Sequence, residues 1–399
     1  MKKMLLLIVC MGFMLPYINA QAKDIELSSP NGKLNLSLQI SDKIAYSIKV
    51  QDKVLLDNCQ LQLQLRDQTL GEKPKIVSQK RKTITETIKP VVPLKYSSIN
   101  NQYNQLIVNF KGNYAVEFRA FDGGIAYRFI SRMKDDIEVI GENFSISFPE
   151  NYTAYTQQPN GFKTSYWKQS DKMSTLPVLI NTSTGYKILI SETDLTDYPG
   201  MFLKGSGENG MYAVFPKAPL KFGEDGDRSL KILEEADYIA KTRGDRTFPW
   251  RYFIIAENDA KLVESTLPVQ LAPASNIVDP SWIKPGQVSW EWWNDASPYG
   301  DDVNFVSGYN LETYKYYIDF AAKQGIPYIL MDEGWAKSTR DPYTPNPKVN
   351  VHELIRYGKE KNVGVILWLT WLTVENNFDL FETFKKWGVA GVKIDFMDR

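Results

Sequence analysis

Histidine is nearly missing from this 399-residue chain: His352 is the single one. Catalysis by a Ser-His-Asp triad is therefore excluded unless His352 itself serves, and its place in the first turn of a predicted helix puts it on the surface. Cysteine is equally sparse, with Cys10 and Cys59. Zinc sites of His or Cys type lack their ligands. Charge of one sign is absent too, since 47 basic residues balance 47 acidic ones without a basic run. That balance argues against nucleic acid or an anionic membrane as partner and leaves a neutral one.

Long hydrophobic runs are also lacking. The longest, Met4 to Leu15, follows Lys2 and Lys3 and leads to Ile18-Asn19-Ala20. It is too short to span a bilayer, and a small residue stands where a signal peptidase cuts, so residues 1–20 read as a secretory signal removed after Ala20. Cys10 follows Val9 rather than a small residue, which argues against a lipid anchor. An exported chain, periplasmic or secreted, keeps only Cys59 and forms no internal disulfide. The remaining roughly 380 residues exceed what one core usually holds, which predicts two domains.

What is abundant is aromatic: 13% of residues, with ten Trp and 22 Tyr. Aromatic faces suit sugar rings but fill ordinary cores equally well. Leu34, Leu36, Leu38 and Ile40 alternate with polar residues, as do Ile44, Tyr46, Ile48 and Val50 after a Ser-Asp-Lys turn. That is an antiparallel hairpin. The same period recurs at Leu61, Leu63 and Leu65 and at Tyr114, Val116 and Phe118, and no amphipathic helix stands out before about residue 270. Residues 21–272 therefore predict a β-sandwich, 273–285 a proline-marked linker, and 286–399 a different texture.

There, buried strands alternate with capped helices. Strands are predicted at Val288–Trp293, Pro327–Met331, Val363–Trp371 and 389–397; Asn310 and Asn350 cap helices, and Gly325 and Gly388 end them. Alternating β and α units imply a parallel sheet covered by helices, open or barrel-shaped. No glycine-rich phosphate fingerprint follows the first strand, which favours a (β/α)₈ barrel. Four strands are half of one, so the chain reads as truncated, and a half barrel is expected to be inactive and poorly soluble alone.

Catalytic groups of such barrels stand at the carboxyl ends of strands. Here those ends carry Glu291, Trp293 and Asp295; Asp332, Glu333 and Trp335; Trp368, Thr370 and Trp371; Lys393 and Asp395. Lys393 and Asp395, two apart, share a face, with Ile394 and Phe396 turned toward the helices. A lysine beside the aspartate would keep it ionised, as a nucleophile requires, although a structural ion pair uses the same spacing. Of the neighbouring acids Asp332 and Glu333, Asp332 is read as pointing inward. Carboxylate chemistry remains: glycoside hydrolysis by two acids, or a hard-metal site.

The segments Val116–Phe129, Trp290-Glu291-Trp292-Trp293, Met331–Trp335 and Gly391–Arg399 together resemble glycoside hydrolase family 97. The resemblance implies a β-super-sandwich, a (β/α)₈ barrel and a small C-terminal β-domain absent here, with a calcium ion in the active site. Retaining members carry an aspartate where inverting α-glucosidases have glycine, so Asp395 places the chain with the retaining branch, acting largely on α-galactosides. The resemblance further implies that the acid/base glutamate lies beyond Arg399 and that Glu192 is a calcium ligand. Lys393, Asp332, Glu291, Trp293, Trp335 and Trp371 are the expected substrate contacts. An inverting α-glucosidase of the same family and a non-catalytic glycan-binding protein are the rival readings; sugar, aglycone and oligomeric state are left open.

Overall fold

The computed structural model describes residues 24–158, 161–166 and 173–397. The expected signal peptide lies outside the described residues. The chain forms two compact units: Met1–Ile88, Ser98–Pro216 and Ile239–Pro273 in one, and Lys89–Ser97, Lys217–Tyr238 and Ala274–Arg399 in the other. Two stretches of the expected sandwich region thus belong to the second unit. The hairpin Pro219–Asp225/Ser229–Glu235 is exposed along most of its length although Leu220 and Phe222, and Leu230 and Ile232, alternate with polar residues.

The first unit is two antiparallel sheets. One follows the predicted hairpin, Leu34–Ile40 with Ile44–Val50, in the register Leu34↔Val50, Leu36↔Ile48 and Leu38↔Tyr46. It continues through Lys53–Leu65 to Ile137–Ser147. The other runs Lys187–Thr193, Trp250–Ala256, Gly124–Arg132, Tyr114–Phe121, Ile99–Phe110 in that order. Leu36, Ile48 and Leu61 from one sheet and Val116, Phe118, Tyr127 and Ile190 from the other share a single buried cluster, which makes the pair a sandwich. Trp250–Ala256 is buried on both faces, because Trp250, Tyr252 and Ile254 are covered by Leu267 and Leu271. Those leucines belong to the short helix Leu267–Leu271, preceded by Asp259–Glu264; neither was expected, being too short to show helical periodicity.

The second unit holds a four-stranded parallel sheet in sequence order: Val288–Trp290, Tyr328–Met331, Gly364–Thr370 and Gly391–Asp395. Helix Leu311–Gln324 lies between the first two strands, Val351–Glu360 between the next two, and Leu380–Trp387 before the last. Asn310 Oδ1 accepts the Thr313 N–H at 3.0 Å, and Gly325 and Gly388 close their helices at φ 69° and 87°, where a side chain would be strained. Tyr314, Ile318, Leu354, Val365, Leu367 and Phe384 form the core beneath the helices.

Three expectations need correction. The first strand stops at Trp290, and Glu291–Asn294 is a turn of 3₁₀ helix that stacks Trp292 on Trp290 and folds Glu291 inward. Trp371 does not end a strand; Thr370 Oγ1 accepts the Thr373 N–H and starts the helix Trp371–Asn376. Phe396 does not face the helices, because its backbone turns left-handed (φ 58°) immediately past the strand.

Candidate active site

Four strand ends converge on two acids. Asp332 directly follows the second strand and is 5% exposed. Its Oδ1 accepts the Glu333 N–H at 2.8 Å, and its Oδ2 accepts both the Trp290 indole N–H (2.8 Å) and the Lys393 ammonium (2.9 Å). Lys393 also lies 3.3 Å from Asp395 Oδ2 and 4.3 Å above the Trp290 ring, a cation–π placement. One ammonium therefore bridges Asp332 and Asp395.

Asp395 is the last residue of the fourth strand. Partial burial, the largest influence, works to raise its pKa. Hydrogen bonds from the Trp368 indole (3.1 Å), the Phe396 N–H (3.0 Å) and Lys393 outweigh that and hold the carboxyl below its usual range. The left-handed turn at Phe396 is what brings that N–H back onto Oδ1. A half-buried, ionised carboxylate oriented by three donors can attack an electrophilic carbon or stabilise a developing cation.

Glu291 is placed differently. It is 1% exposed, and its Oε1 accepts the Asp332 N–H (2.7 Å) and the Tyr314 hydroxyl (2.8 Å). Burial, opposed by those two bonds, pushes its carboxyl up to about 7. Trp293 is 76% exposed against the Trp290 and Trp292 rings and offers a face. Trp335, by contrast, is 1% exposed, packs edge-on against Phe384 and donates its indole N–H to the Trp368 carbonyl at 2.8 Å. It presents no surface to a ligand, since the Phe384 helix covers it; it steadies Trp368. Trp371 is half-buried at the start of its helix. Asp295, left-handed at φ 53°, accepts the Tyr309 hydroxyl at 3.3 Å.

Arg228 was not foreseen. It reaches from the turn of the exposed hairpin to Glu333 Oε1 (2.8 Å) and lies 5.3 Å from the Phe396 ring. Nothing in its local sequence marks it, because it becomes part of this region only through the fold. Trp290 and Tyr314 are not among the expected substrate contacts; their places in a predicted strand and a predicted helix do not mark them as partners of Asp332 and Glu291.

Glu192 stands in the first unit, on the strand Lys187–Thr193. Its Oε1 accepts the Met201 N–H at 2.9 Å and its Oε2 pairs with Arg251, whose guanidinium also grips Glu142 at 2.8 and 2.9 Å. Among the described residues no group of three or more His, Cys, Asp or Glu side chains is arranged to hold a metal ion. With both oxygens engaged, Glu192 does not by itself fit the expected calcium.

Comparison with known proteins agrees with this architecture. The Glycosyl-hydrolase 97 N-terminal family matches residues 27–273 and the Glycoside hydrolase 97 family residues 292–399. A retaining alpha-galactosidase of Bacteroides thetaiotaomicron is 36% identical over all of this chain and 63% of its own length. A probable retaining alpha-galactosidase of Streptomyces bingchenggensis is 26% identical over 93% of the chain and 56% of its own length. The chain thus spans about three fifths of these curated relatives. Among solved structures, a family 97 enzyme from Pseudoalteromonas sp. strain K8 in complex with acarbose superposes with a TM-score of 0.79 at 22% identity, over 93% of this chain and 59% of that one. A beta-arabinopyranosidase superposes at 0.75 with 20% identity, over 94% and 62%. At such identities these structures speak to the fold alone. By its sequence matches, with its sandwich of two sheets and its parallel strands, the chain belongs to glycoside hydrolase family 97.

Proposed function

We propose that this chain is part of an exported retaining α-galactosidase, that its four parallel strands are the first half of a (β/α)₈ barrel, and that Asp395 is the nucleophile. One observation carries the proposal: Asp395 stands at the carboxyl end of the fourth strand, held ionised by Trp368, the Phe396 N–H and Lys393, in a chain 36% identical to a retaining alpha-galactosidase. Asp395 Oδ attacks the anomeric carbon as the glycosidic C–O bond breaks, and a second carboxylic acid about 5 Å away gives its proton to the departing oxygen. A glycosyl ester of Asp395 results. The second group, now a carboxylate, takes a proton from water, whose oxygen displaces Asp395 and restores the original anomeric configuration. The proposal assigns that second acid to a residue outside this chain.

Lys393 and Asp332 orient Asp395, and the exposed faces of Trp293 and Trp292 are proposed to stack on sugar rings. Trp371 remains a proposed contact and Trp335 a support. Calcium dependence rests on the family resemblance, and no step is routed through the ion. Export rests on the N-terminal pattern; sequencing of the mature protein from a periplasmic fraction should begin at Gln21.

The test uses the full-length gene product with calcium on 4-nitrophenyl α-galactoside and α-glucoside, following the released anomer by NMR. α-Galactose is expected first, with activity lost in Asp395→Ala and azide yielding the inverted β-galactosyl azide. Release of β-glucose would move the enzyme to the inverting branch. A fully active Asp395→Ala would remove Asp395 from the chemistry, and sugar binding without turnover would favour a glycan-binding protein.

A further inference from the structure

We infer that Glu291 is a positioning residue that works as a neutral carboxylic acid, fixing the Asp332 peptide and through it the Lys393 bridge to Asp395. The inference rests on the proposal that Asp395 is the nucleophile, and it concerns a side chain buried behind the carboxylates that face the substrate.

The chain of contacts runs outward from the core. Glu291 Oε1 receives the Asp332 N–H and the Tyr314 hydroxyl, tying the second strand end to helix Leu311–Gln324. Asp332 Oδ2 then gathers the Trp290 indole and Lys393, and Lys393 reaches Asp395. Every link is between 2.7 and 3.3 Å. A displacement of the Asp332 peptide is passed directly to the ammonium beside the nucleophile.

The neutral state follows from the other oxygen. Glu291 Oε2 is buried and has no hydrogen-bond partner among the described residues. An ionised carboxylate with one oxygen bare of donors is heavily disfavoured in such a place, whereas a protonated one leaves a neutral hydroxyl rather than a charge unsatisfied. The titratable groups that bear on Glu291 are Asp332 at the second strand end, Tyr314 and Tyr317 on the helix, and Tyr309 ahead of it. None is a cation. Beyond them Lys393 already serves Asp332 and Asp395, and a third negative charge would compete for it. Burial, against the bonds from Asp332 and Tyr314, pushes the Glu291 carboxyl up to about 7. The arrangement is therefore set below neutral pH and loosened above it.

Two variants of the full-length gene product test this. Glu291→Gln keeps an oxygen for both donors without charge; Glu291→Ala removes the acceptor. The glutamine variant is expected to hold kcat within about threefold at pH 6 and to move the alkaline limb of kcat/KM, near pH 7 in the parent, to higher pH. The alanine variant is expected to lose about 100-fold in kcat with little change in KM, the effect of misplacing a catalytic group. Alanine activity within threefold of the parent, folded glutamine enzyme as slow as the alanine variant, or coincident alkaline limbs in parent and glutamine variant would each overturn the inference. Should the alanine variant not fold, the glutamine profile decides. Infrared spectroscopy separates this from the assignment of the reaction: the difference spectrum between parent and Glu291→Gln at pH 6 should show the loss of one protonated-carboxyl carbonyl band, whatever sugar is cleaved and even if Asp395→Ala stays active. A spectrum unchanged by the substitution would refute the neutral acid.

Discussion

Replacing Arg251 with methionine should unbalance the interior of the first unit more than any surface change. Arg251 is 1% exposed and holds Glu142 through two bonds of 2.8 and 2.9 Å while pairing with Glu192; the side chains of those partners are 4% and 10% exposed. Methionine fills much of the volume but leaves two buried acids without their cation. Removing one partner of a buried ion pair costs about 3–5 kcal/mol, because the remaining charge is uncompensated. Two stranded acids put this case toward the upper end. The loss should depend on pH. Burial already raises the Glu192 carboxyl in the native protein, with Arg251 opposing it. Without Arg251 the Glu192 carboxyl rises further, so the folded variant retains a proton that the unfolded chain has released. An excess of protons in the folded state means that stability falls as pH climbs from the ordinary carboxylate range toward 8. The deficit should therefore be modest at pH 5 and near its full value at pH 8. Hydrogen exchange of amides in Trp250–Ala256, read by mass spectrometry at both pH values, measures the opening free energy of that strand. A deficit below about 1 kcal/mol at pH 8, or equal deficits at pH 5 and 8, would refute the reasoning. Adding Glu142→Gln to the variant should recover part of the loss.

Lys393→Met removes one of the donors that keep Asp395 ionised, so the acidic limb of kcat/KM should move to higher pH and the rate at pH 5 should fall more than at pH 7. A pH profile of the full-length variant that overlays the parent's would exclude the lysine from that role. Asn310→Ala deletes the cap on Leu311–Gln324 and should cost about 1 kcal/mol in that helix, measurable as faster amide exchange in its first turn.

How much was readable beforehand differs between the parts of the fold. The hairpin from Leu34 to Val50 was legible because its large apolar residues alternate, although Ala45 and Ser47 between them are buried as well. The helix limits at Asn310, Gly325, Asn350 and Gly388 were legible because capping depends on local backbone chemistry. Lys393 and Asp395 share a face as their spacing requires. The Arg251 triad was invisible: its bonds span 109 and 59 residues, and an arginine within an apolar strand gives no sign of which acids will meet it. Trp335 was misleading for the opposite reason, since a strand-end tryptophan looks alike whether it faces a ligand or the core. Phe396 escaped because the rule of alternating faces ends with the strand, and one left-handed residue redirects the side chain.

The interrupted make-up of the second unit bears on how such a protein can be cut, fused or synthesised. Arg228 and its hairpin are translated ahead of the last strand of the sandwich, Trp250–Ala256, yet they join the parallel strands that leave the ribosome later. Residues 273–285, which look like the place to divide the gene, would leave both Lys89–Ser97 and Lys217–Tyr238 on the wrong side of the break. Recombination at that point would deliver strands without the arginine that holds Glu333, so the two units can be exchanged between relatives only together or by transplanting both segments as well.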